Sequence, residues 1–204
     1  MCGFAICHQP TSQLRPLLRE YLIPRFALKD LPVMAGLSLL GALIAGLYGI
    51  AHDQITYSIS PEYFTNFKFK QFHWANLRLG DRTFVSCIGF LATWWVGLII
   101  AWILVRRLLP GQQQKVACQN VLKGFFVVFS TVLLFGVGGF LYGTLRGPEA
   151  DYSNWSWAFE DYQISDQWAF VRVAYVHNAG YLGGLVGLIL TFFFIKPIGT
   201  QDTA

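Results

Sequence analysis

The chain has 204 residues, of which 54% are hydrophobic and only 13% charged, and it carries a net charge of +4. An ordinary soluble domain carries roughly 25% charged residues, so this composition excludes a soluble globular or a disordered protein. With 17% aromatics and 20 glycines, it reads as a polytopic helical membrane protein, whose spans each need about 20 apolar residues.

Residues 1–30 form a basic tail. Cys2, Cys7 and His8 lie there, at a spacing that fits no zinc pattern. The four cysteines, Cys2, Cys7, Cys87 and Cys118, show no C-x-x-C spacing and predict no disulfide framework. The first charge-free stretch, 31–52, is too long for a signal-peptide apolar region and reads as a first transmembrane helix. In the loop 53–82, apolar and hydroxyl residues alternate from Ile55 to Ser60, the pattern of a short half-buried strand. Ser60-Pro61-Glu62 then offers an N-cap, a proline for the first helical position and an acid for the first turn. The ribbon that follows, from Tyr63 through Trp74 with Lys68 and Lys70 interleaved, predicts an interfacial helix lying along the headgroups.

The second span is 83–105, and the loop 106–123 contains Pro110, Gly111 and three consecutive Gln. The third span is 124–145. The loop 146–172 carries Trp155, Trp157 and Trp168 among acids, and Ser165 with Asp166 predicts an early start for the last helix, which spans 173–195 before the tail 196–204. At about 1.5 Å per residue each span covers a hydrocarbon core of roughly 30 Å. The side holding both termini and the 106–123 loop has nine Lys or Arg against three Asp or Glu, and the other side has six against eight. Positive charge marks the cytoplasmic side. The predicted fold is an all-α four-transmembrane-helix bundle, with both termini cytoplasmic and an extracytoplasmic cap formed by the two outer loops. Leu47-Tyr48-Gly49 recurs as Leu141-Tyr142-Gly143, and Val96-Gly97-Leu98 recurs as Val186-Gly187-Leu188, which suggests a duplicated hairpin.

Each span also carries a face of small residues, and each face leads outward to a cation or histidine. Ser38, Gly41, Ala45 and Gly49 lead to His52; Gly97, Thr93, Gly89 and Ser86 to Arg82; Gly136, Gly139 and Gly143 to Arg146; Thr191, Gly187, Gly184 and Gly180 to His177. Small faces are where membrane helices approach one another. His52 and His177 are therefore expected to meet across the bundle, and one of Trp94 and Trp95 is expected to be buried beside Thr93 and Gly97.

The strings HDQITYSISPEYF (52–64), ATWWVGL (92–98) and HNAGYLGGL (177–185) resemble an uncharacterised family of small bacterial integral membrane proteins. That resemblance implies a bacterial inner-membrane setting and no particular activity. The site itself has two readings. In the first, His52, Arg82, Arg146, His177 and Asn178 bind an anion or lipid headgroup, with Asp53, Glu62 and Asp81 as charge partners. Arg146 is its expected centre, paired with Asp53 and Glu62. In the second, His52, Asp53, Glu62, His73 and His177 serve a membrane-embedded enzyme, with His52, His73 and His177 as an alternative metal set. No cofactor is predicted, and the expected partners are membrane lipids and a partner membrane protein or second copy. Nucleic acid is excluded, since no basic stripe with stacking residues lies on a soluble segment. Transport is disfavoured, because no acid lies in the middle of a span and no span is broken by an internal proline.

Overall fold

The computed structural model describes residues 28–195, so the Cys2, Cys7 and His8 cluster lies outside the described residues. Four long helices dominate: α1, Leu31–Ile59; α2, Asp81–Leu108; α3, Gln114–Arg146; and α4, Gln167–Phe194. All four are long and apolar enough to cross a membrane. No strand is present among the described residues. The expected strand at Ile55 to Ser60 is the last turn and a half of α1 and its cap. Its hydroxyls serve the helix: Thr56 Oγ1 donates to the His52 carbonyl at 3.1 Å, and Ser58 Oγ to that of Gln54 at 3.0 Å. A hydroxyl that bonds back to the carbonyl one turn earlier is accommodated within a helix, so alternation alone misreads the segment.

Local sequence sets the helix ends. Pro32 occupies the first turn of α1, where its missing N–H costs nothing. Gly80, at φ +95°, turns the chain into α2. Asp81 sits in the first turn of α2 and Arg106 and Arg107 in its last, which complements the helix dipole. The Asp166 carboxylate accepts the Ala169 N–H at 2.9 Å and starts α4 before the apolar run, as the sequence predicts. Asp166→Ala should therefore cost about 1 kcal/mol, read as a lowered melting temperature in detergent.

The helices pair as two antiparallel hairpins, α1 with α2 and α3 with α4. Glycines set both seams. A Cβ at Gly49 would strike the Gly89 carbonyl and Thr93, and one at Gly89 would strike the Gly49 backbone. In the other hairpin Gly139 lies against the Tyr175 carbonyl and Ala179, and Gly187 against Val128 and Thr131. The crossings correspond: Gly49 on Gly89 matches Gly139 on Ala179, and Gly41 on Gly97 matches Thr131 on Gly187, each displaced by 90 positions. The two Leu-Tyr-Gly strings are one helical turn out of this register. On α4 the packed face runs through Gly183, not through the expected Gly180 and Gly184.

Because small faces close the seams inside each hairpin, they do not all line one bundle axis. Between hairpins, Met34, Leu104, Leu108, Ala117 and Val121 pack together at the end nearest the tails. At the far end the 60–80 and 147–166 connections pack on one another, with Tyr63, Phe64, Tyr152 and Ile164 clustered around Phe170 and Val171. Glu62 Oε2 accepts the backbone N–H groups of both Ser165 and Asp166 at 2.9 Å, and Asn66 Nδ2 donates to the Gln163 carbonyl. The aromatic ribbon is thus partly a core element: Tyr63 and Phe64 are buried in a π-helical stretch, Tyr63–Lys68, while Trp74 is exposed.

The expectation of a buried Trp94 or Trp95 is not met. They are 38% and 50% exposed. Thr93 donates to the Ala45 carbonyl at 2.7 Å and closes the seam itself, so the two residues after it turn away from α1.

Candidate functional site

His52, Asp53 and His177 converge at the far end, where α1 meets α4. Their presence together follows from helix geometry: α1 places Gly49 in the α1–α2 seam and rotates His52 and Asp53 toward α4. Asp53 is 6% and His177 8% exposed. The two imidazoles meet edge to face with ring centres 4.8 Å apart, as the sequence predicts. His177 Nε2 lies 3.3 Å from Asp53 Oδ1, and one ligand atom from each of the three residues lies within 4.8 Å of the others.

Each ring is held from behind. His177 Nδ1 lies 2.9 Å from the Val173 carbonyl, which has no proton to give, so Nδ1–H donates to it. Nε2 then faces a carboxylate oxygen. A neutral imidazole with that tautomer and an ionised carboxylate would oppose two lone pairs at this distance. A proton shared between Nε2 and Oδ1, or a cation between them, would remove that opposition. His52 Nδ1 is engaged by Tyr48 Oη at 3.1 Å, which leaves its Nε2 for the cluster.

Aromatic rings pack around the site, where Asp53 and His177 are buried and His52 is half-buried. Tyr63 stacks on His177 at 5.0 Å, Phe64 lies 6.5 Å from the same ring, and Tyr48 packs edge-on against Phe129 of α3. Burial pushes the Tyr63 hydroxyl up from its ordinary value, and it stays protonated. Lys68, over the Tyr63 and Phe67 rings, is held below the ordinary lysine range by burial, with the Asp53 carboxylate pulling the other way.

The remaining sequence candidates do not join this cluster. Arg82 lies on the far side of α1: its Nη1 donates to Gln54 Oε1 at 3.0 Å and to Ser58, and its guanidinium covers the Tyr57 ring. Gln54 is two positions from His52, and on a helix that is nearly the opposite face. Arg146 is paired with neither Asp53 nor Glu62. It donates to Tyr175 Oη at 2.9 Å and to the Asp151 carbonyl at 2.7 Å, because Gly143 docks its end of α3 onto α4 and away from α1. Glu62 is occupied by backbone N–H groups, and Asp81 accepts from Tyr57 Oη at 3.4 Å. Asn178 is exposed. His73 is exposed too, beside the Lys70 carbonyl, so the metal set of His52, His73 and His177 is not assembled and Asp53 stands in the place expected for His73.

Sequence reasoning missed the supporting residues Tyr48, Tyr63 and Val173. The signal for two of them was available, since Tyr48 and Val173 each precede a cluster histidine by four positions, one helical turn. No protein-family model, curated protein or solved structure matches the chain.

Proposed function

We propose that the chain is a multi-pass protein of a bacterial cytoplasmic membrane, a binding or accessory component whose working site is a divalent transition-metal centre on His52, Asp53 and His177. The excess of Lys and Arg on the side of the tails supports cytoplasmic termini. On that orientation the 60–80 and 147–166 segments form an extracytoplasmic cap over the centre. Lipids surround the spans, and a partner membrane protein or a second copy is the remaining contact.

The observation that carries the metal reading is the 3.3 Å approach of His177 Nε2 to Asp53 Oδ1 beside His52. Two ligands about 2.0–2.1 Å from a tetrahedral Zn²⁺ stand roughly 3.3 Å apart. Metal-ligating histidines also donate their second N–H to a carbonyl or similar group, as His177 does to Val173. Asp53 argues against an anion at the two histidines, because a carboxylate already faces them. Three protein ligands leave a fourth position open to water, which supports the enzyme as a second reading.

Protein stripped with a chelator in detergent and titrated with Co²⁺ tests this. Wild type should bind about one equivalent, with a visible tetrahedral spectrum and release of roughly one proton as the ion replaces the one shared by the pair. His52→Ala and His177→Ala should weaken binding at least about 100-fold, and Tyr48→Phe about tenfold. His73→Ala should change nothing. Equal Co²⁺ binding by wild type and by the His52→Ala, His177→Ala double variant would overturn the proposal.

A further inference from the structure

The far end of the α3–α4 hairpin carries a second concentration of chemistry, built from none of the metal-centre residues. The Arg172 guanidinium lies 4.0 Å from the centre of the Trp168 ring and 6.0 Å from that of Phe140. Its Nε is buried without a partner, and among the described residues no hydrogen bond or ion pair engages the group. Arg146 donates to Tyr175 Oη and the Asp151 carbonyl and lies over the Tyr152 ring. A guanidinium has five N–H donors, so most of those on the two arginines have no protein acceptor.

Both guanidinia act electrostatically on the Tyr152 hydroxyl, which places them at the same end of the α3–α4 hairpin. At Gly143 a Cβ would meet Arg172 Cγ and the Tyr175 ring, so Arg172 lies flat against α3, within one turn of Arg146. Trp168 Nε1 donates to the Gly143 carbonyl at 2.9 Å and fixes the ring on which Arg172 stacks. The nearby acid, Asp151, turns its carboxylate to the Ser153 N–H at 2.8 Å instead of to an arginine. Around the guanidinia the surface is apolar and open: Leu145 is 86% and Tyr142 54% exposed.

Two guanidinia to which no carboxylate is hydrogen-bonded, walled by aromatic rings, match a phosphate oxyanion, which Arg binds by paired donation. Exposed apolar side chains beside them match acyl chains, and Trp with Arg at a helix end is the composition of the headgroup layer. We propose that Arg146 and Arg172 hold the phosphate of a phospholipid headgroup, with Trp168 and Tyr152 as the walls of the site. This goes beyond the metal reading and does not depend on it.

Detergent-purified protein mixed with phosphatidylglycerol, with diacylglycerol or with inorganic phosphate, followed by native mass spectrometry and thermal melting, tests the site. Phosphatidylglycerol should be retained and raise the melting temperature, whereas diacylglycerol and inorganic phosphate should do neither. Arg146→Gln with Arg172→Gln should reduce retention at least about tenfold, the equivalent of one charge-assisted hydrogen bond. Unchanged Co²⁺ binding by that variant would show its fold intact, and the comparison of the two lipids on wild type decides the matter if it does not fold. Retention of diacylglycerol equal to that of phosphatidylglycerol, or equal retention by wild type and the double variant, would overturn the proposal. A melting shift from inorganic phosphate as large as that from the lipid would also overturn it, in favour of a free-phosphate site.

Discussion

Asp53→Ala should lower stability by about 3–5 kcal/mol, the usual cost of removing one member of a buried charged pair, whereas Asp53→Asn should fold nearly as wild type. Both side chains of the His177–Asp53 pair are 8% exposed, so water does not replace a lost partner. With alanine at 53, Nε2 of His177 faces an apolar gap and either loses its proton or holds a charge without a counter-ion. An asparagine amide resolves the conflict in another way: it donates to the Nε2 lone pair, while Nδ1–H keeps the Val173 carbonyl. No shared proton is then needed. Melting curves in detergent separate the two variants, and Co²⁺ titration separates structure from binding, since the amide keeps the hydrogen bond and removes the anionic ligand. An Asp53→Ala protein that melts with wild type would show that the pair contributes nothing to the fold.

The four long apolar helices were legible because charge is costly in hydrocarbon and therefore brackets each apolar stretch. The approach of His52 to His177 was legible too, since both follow glycine-bearing faces at similar depth. What the sequence hid was the partner of each face. A glycine stripe says that something comes close, not which helix does. Four stripes facing one axis and four stripes closing two seams give the same spacing along the chain. The difference moved Arg82 and Arg146 into separate hairpin ends and left the histidines with Asp53. Asp53 was read as a charge partner for Arg146 because it follows the outer end of the first span, and was grouped with the histidines only in the enzyme reading, although one residue step from His52 is only about 100° of helix. The 55–60 segment was misread for a different reason: hydroxyls that bond to their own helix imitate the alternation of a strand.

Gly89→Ala should destabilise the α1–α2 hairpin by about 1–3 kcal/mol or more, the range for overpacking a close contact, while Gly138→Ala should be neutral or slightly stabilising. The contrast follows from what each new methyl would meet. At Gly89 it would meet the backbone of Gly49 and Ile50, and at Gly49 the reciprocal carbonyl, so no side-chain rotation relieves it and the helices must separate. At Gly138 nothing lies within 4 Å, and exchanging glycine for alanine in an open helix position gains roughly 0.5–1 kcal/mol of backbone entropy. The consequence reaches the proposed metal centre. Thr93 Oγ1 bonds the Ala45 carbonyl across the same seam, and α1 carries Tyr48, His52 and Asp53 within the next two to three turns. A wider seam shifts all three relative to His177, so Gly89→Ala should weaken Co²⁺ binding as well as lower the melting temperature, and Gly138→Ala should leave both intact. A Gly89→Ala protein that melts and binds Co²⁺ as wild type would mean that the seam does not position the centre.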